Sequence, residues 1–140
     1  MERFNCTNGT ETLYRVIKRS YPNTVKIKNG KILGVSSALF KDANGVSVDL
    51  KMERSDSDVK KDLIDSFKVR LMGFVSLSEK DVKNANALLH PCPTKENRYH
   101  AEIHKNCNEI LLDEEQALQL ADNCTIEFFD YTKQWTNSIE

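Results

Sequence analysis

The sequence predicts an α+β fold: a mostly antiparallel or mixed sheet of about six or seven strands, about three helices packed on one face, and a meander of N-terminal strands. Three observations predict it. The short runs between Leu13 and Leu50 read mostly as strands, the apolar period changes to a helical one at Asp56, and the two then alternate towards the C-terminus. Asn29-Gly30 sits between two short apolar-alternating runs, where a two-residue hairpin turn needs residues that accept positive φ. The 140 residues match the commonest size of one domain, and 39% hydrophobic with 29% charged residues is an ordinary globular balance. No repeat, linker or low-complexity tract divides them, so residues 1–140 read as a single α+β domain.

The elements follow in order. Leu13 to Lys18 is rich in residues that suit a pleated surface, and Thr24 to Lys28 alternates Val25 and Ile27 with lysines. Lys31-Ile32-Leu33 completes the hairpin, Val35 to Phe40 reads as a further strand, and Val46 to Leu50 follows the turn Asp42-Ala43-Asn44-Gly45. From Ser55 or Asp56 a helix places Val59, Leu63, Ile64 and Phe67 on one face. Val69 to Leu77 is apolar on both faces, as a central strand should be. Ser78 and Asp81 form a capping box for a second helix through Val82, Ala85 and Leu89, ending before Pro91. His90 to Asn97, with two prolines, reads as a long ordered loop, and Arg98 to His104 as a strand. Asp113 caps a third helix through Ala117, Leu118 and Ala121, and Ile126 to Tyr131 closes the chain as a strand.

No apolar run is long enough for a membrane span, and the polar start, Met1 to Thr12, lacks the apolar stretch of a signal peptide. The expected location is therefore the cytoplasm, with no membrane partner. There, Cys6, Cys92, Cys107 and Cys124 are expected as free thiols, and the sequons at Asn5, Asn8 and Asn123 carry no sugar. Net charge is −1, but residues 1–40 are basic and residues 109–140 acidic. Such asymmetry means an anion-binding face or two ends that neutralise each other.

All three histidines and two of the four cysteines fall between His90 and Cys107. Imidazole and thiolate are the usual ligands of zinc, so Cys92, His100, His104 and Cys107 are the candidate metal ligands. His100 and His104, four apart on a strand, would stand roughly 13 Å from each other, too far to share one ion without a bend. His100-Ala101-Glu102 also matches the His-x-Glu element of zinc deaminases, but Pro91-Cys92 precedes it and no second cysteine follows. Without metal, His100, Glu102 and His104 on one strand face are candidate acid and base groups. His90, Arg98, Arg15, Lys18 and Lys26 are the candidate binding residues for an anionic ligand. No phosphate-loop glycine pattern and no nucleophile elbow is present.

The leading expectation is accordingly a cytoplasmic, non-enzymatic interaction module without a cofactor, its partner a protein or a second copy of the chain. The alternative is a small enzyme acting on nucleic acid or a nucleotide through the His/Glu cluster, with zinc as a possible cofactor.

Overall fold

A computed structural model describes residues 9–136. Thr12–Lys18 forms β1, Val25–Lys28 and Lys31–Val35 form β2 and β3, Val46–Leu50 forms β4, and Asp56–Phe67 forms helix α1. Leu71–Ser78 is β5, Glu79–Asn84 is α2, Leu88–Pro91 is β6, His100–His104 is β7, Glu114–Asn123 is α3 and Thr125–Phe129 is β8. Six of the eight strands make one antiparallel sheet in the order β6-β7-β4-β1-β5-β8, and β2 pairs with β3 as a separate hairpin. This is the α+β class the periodicity predicts, with slightly more strands, but the N-terminal strands form no meander, because β1 pairs with β4 and β5 and not with β2, and the helices pack on both faces of the sheet, α2 and α3 on one and α1 on the other. β1 has β4 and β5 as its sheet neighbours, while the hairpin turns on Asn29 and Gly30 at φ 54° and 77°, the positive values that Asn-Gly accepts.

Alternation along the strands separates two layers. Leu13, Ile17, Val46, Val48, Val75, Ala101 and Ile103 point to one face, where they pack with Val82 of α2, Ala117 and Leu120 of α3, and Leu39 and Phe40. Tyr14 and Phe74 point to the other and meet Val59 and Leu63 of α1, with Val16, Phe67 and Phe128 alongside. Each fully buried Val or Leu contributes about 1.5–3 kcal/mol, so the two α1 anchors are enough to fix that helix over β1, β5 and β8. Its start is set by Ser55, whose hydroxyl accepts from the Asp58 N–H, with Asp56 and Asp58 in the first turn, where the helix dipole favours acids.

Two segments differ from the sequence expectation. Val35 ends β3 and Ser37–Phe40 is a 3-10 turn, not a continued strand. In a strand, adjacent Leu39 and Phe40 would face opposite sides; the turn buries both in the same core. The second helix does not reach Leu89. It ends at Asn84 in a Schellman motif, with Asn86 at φ 59°, Asn86 N–H donating to Lys83 O and Ala87 N–H to Val82 O. The chain released there becomes β6, so His90 and Pro91 belong to an edge strand beside β7 and not to a loop.

The sheet opens between β1 and β4. Their ladder holds only Leu13 opposite Leu50 and Tyr14 opposite Asp49, whereas β1 stays paired with β5 down to Lys18. Backbone groups at such a gap need other partners. Arg15 supplies donors: its Nε bonds Leu39 O and its Nη1 bonds Ser47 O, each at 3.0 Å.

Candidate functional site

The period of β7 buries Ala101 and Ile103 and puts His100, Glu102 and His104 on the opposite face, as the alternation predicts. Pairing then fixes their neighbours: Asp49 of β4 lies opposite His100, while Ser47 of β4 and His90 of β6 flank Glu102. Glu102 is the shared centre of the row. His104 Nε2 lies 2.8 Å from Glu102 Oε1, the imidazole N–H donating to the carboxylate, and His100 Nε2 lies 3.6 Å from Oε2. His90 places its ring 5.4 Å from that of His104. The backbone of Gly45 closes the other side. Its φ is +101°, and a Cβ there would stand 2.6 Å from Glu102 Oε1 and 3.2 Å from His104 Nε2, so both conformation and space call for glycine.

Cys92 joins the same group because its N–H donates to His100 O at 3.0 Å, carrying the chain past the end of β6. Its thiol, one nitrogen of His100 and one oxygen of Glu102 all lie within 4.8 Å of one another. Burial, followed by the nearby Glu102 carboxylate, pushes the Cys92 thiol above its ordinary value. It is therefore protonated at neutral pH and a weak nucleophile.

The parted sheet, α1 and the 96–99 turn together enclose a cleft of about 1060 Å³, which His100 also lines. Its two ends have different electrostatics. At one, the buried Arg54, 8% exposed, donates to Asp62 Oδ2 at 2.9 Å and to Leu50 O at 2.6 Å, and its guanidinium stacks 3.5 Å from the Tyr99 ring centre. Asp49 is 4.0 Å from Arg54 and accepts from Asn97 Nδ2 at 3.0 Å. Burial holds the Asp49 carboxyl above its usual value, against those two partners.

At the other end are Arg15, Lys18 and Arg70. Among the described residues, none of the three has an acid within ion-pairing distance. Burial first, then the charges of Arg15 and Arg70, lower the pKa of Lys18, and burial lowers that of Arg15, in both cases against the nearby Asp42 carboxylate. Lys18 lies 5.9 Å from the centre of the Tyr21 ring and Arg70 5.0 Å from that of Phe67. Three cations thus converge with aromatic faces beside them.

Of the residues singled out in the sequence, His90, Cys92, His100, Glu102 and His104 come together, and Arg15, Lys18, Arg98 and His100 line the cleft. Arg98 is engaged there by Glu53 Oε2 at 2.8 Å. Lys26 is exposed on the β2–β3 hairpin and does not line the cleft. Cys107 is exposed beyond β7 and stands outside the ligand group, while Cys124 is half-buried after α3 with its thiol pushed up to about 11, chiefly by burial. Cys6 and the sequons at Asn5 and Asn8 lie outside the described residues. Sequence reasoning did not reach Asp49, Arg54, Asp62 or Arg70. The signal for Asp49 was present, since a polar residue on the open face of β4 must face the row on β7 once the two strands pair. Among the described residues, no helix is long and apolar enough to cross a membrane. Comparisons with protein-family models, with curated proteins and with solved structures find no match for this chain.

Proposed function

We propose that the protein binds a phosphorylated small molecule of nucleotide size in the cleft between α1 and the parted strands β1 and β4. The observation that carries this reading is the meeting of Arg15, Lys18 and Arg70 in one cavity with no acid among the described residues in ion-pair contact with any of them, although Asp42, which lines the same cleft, partly offsets the charge of Arg15 and Lys18. Cations held together against their own repulsion and against burial favour a counter-ion of more than one negative charge. A phosphate answers that demand, and arginine binds its oxygens in pairs. The cleft volume is at the upper end of the range of small-ligand sites, and Tyr21 and Phe67 offer apolar faces next to the cations.

Isothermal titration of the purified chain with pyrophosphate, a nucleoside diphosphate and the matching nucleoside tests the reading. Both phosphorylated compounds should bind at low ionic strength, more weakly as salt rises, and the nucleoside alone should bind far less. Lys18→Met and Arg70→Met should each weaken binding by about tenfold or more, since a charge-assisted hydrogen bond is worth about 1.5–3 kcal/mol. Absence of binding by both phosphorylated compounds, or equal binding by the folded double variant, rejects it.

A second reading has one observation in its favour: His100 belongs both to the cleft lining and to the Glu102 row. A bound ligand reaching His100 would meet an imidazole and a carboxylate able to move a proton. On that reading the protein transforms its ligand, and His100→Ala abolishes product formation while leaving pyrophosphate affinity within about twofold, because the phosphate end is elsewhere.

A further inference from the structure

The group at Cys92, His100 and Glu102 has no part in the cationic end of the cleft and is built differently. We propose that these three residues hold a single zinc ion, with His104 orienting the carboxylate from behind.

The placement comes from backbone pairing. His100 and Glu102, two apart on β7, share a face, and the Cys92 N–H bond to His100 O brings the thiol to the same point from the end of β6. Their three donor atoms lie within 4.8 Å of one another. In a tetrahedral zinc site, bond lengths of about 2.0–2.3 Å place donors about 3.3–3.8 Å apart. A side-chain adjustment of about an ångström closes that difference, without any movement of the strands.

The donor types narrow the ion. The Cys92 thiol, protonated without metal, gives up its proton to solvent as the ion binds; one thiolate, one imidazole and one carboxylate then suit zinc and chemically similar divalent transition metals, whereas magnesium and calcium take oxygen ligands. The carboxylate is also prepared. His104 holds Oε1 at 2.8 Å, which leaves Oε2 on the side of His100, and Gly45, having no side chain, leaves open the space that Oε1 occupies. An outer partner that fixes a ligand in this manner is a regular feature of metal sites. It also gives His104 a role that its distance from His100 along β7 allows: the two histidines share a carboxylate, not an ion. Three protein ligands leave a fourth position for water or substrate, beside a cleft that His100 already lines.

The test is a cobalt(II) titration of the reduced, metal-free full-length chain, read by absorbance, because cobalt(II) replaces zinc and gives a near-ultraviolet band when a thiolate binds it. One equivalent should saturate the band, and zinc should displace it. The band should vanish in Cys92→Ser and persist in Cys107→Ser and Cys124→Ser. His104→Ala should keep the band and weaken affinity by about 10–100-fold. Should Cys92→Ser lose its far-ultraviolet circular dichroism, His100→Ala and Glu102→Gln decide in its place, each expected to lower affinity more than His104→Ala does. A thiolate band that is absent from the parent, survives in folded Cys92→Ser or disappears in Cys107→Ser overturns the assignment. So does a complete loss of cobalt binding in folded His104→Ala. The phosphate reading is tested on the metal-free chain with pyrophosphate, so either proposal can fail while the other stands.

Discussion

Tyr14 joins the sheet to α1 at the scale of one residue. Its ring is buried, meets Phe74 edge-on at 5.9 Å, and its hydroxyl donates to Asp56 Oδ1 at 3.1 Å. Burial foremost, then the Asp56 carboxylate, raises its pKa from 10.0 to about 12. The folded state therefore keeps the Tyr14 proton over a pH range in which the unfolded chain has lost it. By linkage, the contribution of this group is complete below about pH 10 and is lost as pH rises towards 12. Absorbance titration at 295 nm should resolve a late-titrating tyrosine near pH 12 that is missing in Tyr14→Phe, and urea midpoints of the parent should fall between pH 10 and 12 more steeply than those of Tyr14→Phe. A parent in which every tyrosine titrates near 10 would contradict the burial argument. Tyr14 and the His100, Glu102, His104 row show what single residues disclose in advance. The row was legible because strand alternation is a local property; the burial of Tyr14 was not, because it depends on where α1 comes to lie.

Between elements, Arg54 ties the end of β4 to α1 and to the 97–99 turn: Leu50 O, Asp62 and the Tyr99 ring are among its attachments, beside Lys51 O and Asp49. No buried side-chain nitrogen or oxygen among the described residues lacks a hydrogen-bond partner, and removal of this guanidinium would take from Leu50 O its buried side-chain donor. Arg54→Ala should cost about 2–4 kcal/mol in urea denaturation, less than a wholly buried pair because Asp62 keeps access to water. Arg54→Lys should recover only part of it, lacking the planar stack on Tyr99. A cost below about 0.5 kcal/mol for Arg54→Ala would show the attachments to be incidental. Elements whose signals are local, such as the Ser55 cap, the Ser78–Asp81 capping box and the Asn29-Gly30 turn, stood out in the sequence and occur where expected. β6 did not stand out, because Ala85 and Leu89 fit a helical spacing and only the turn at Asn86, followed by pairing with β7, sends the chain into a strand. Arg54 gave no signal either, since it stands just before a helix cap and acquires its partners through tertiary packing.

Across the molecule, among the described residues no ion pair joins the basic residues before position 41 to the acids after position 108. Lys41 pairs with Glu114, but among the described residues Arg15 and Lys18, the basic residues of β1, have no acid in ion-pair contact, Asp42 acting on them from a distance, and both line the cleft. The sheet topology explains this: β1 parts from β4 after Tyr14, and the opening admits their side chains from one edge and Arg70 from the turn before β5. No local pattern could announce a site made by the failure of two strands to pair. Ligand binding in the cleft would depend most directly on that cationic end. Amide chemical-shift mapping of the full chain with pyrophosphate at low ionic strength tests it in one measurement. Saturable shifts should centre on Arg15, Lys18, Tyr21 and Arg70, and vanish in the Lys18→Met, Arg70→Met double variant. Shifts that are absent, or that centre on the exposed lysines of the β2–β3 hairpin, would contradict it.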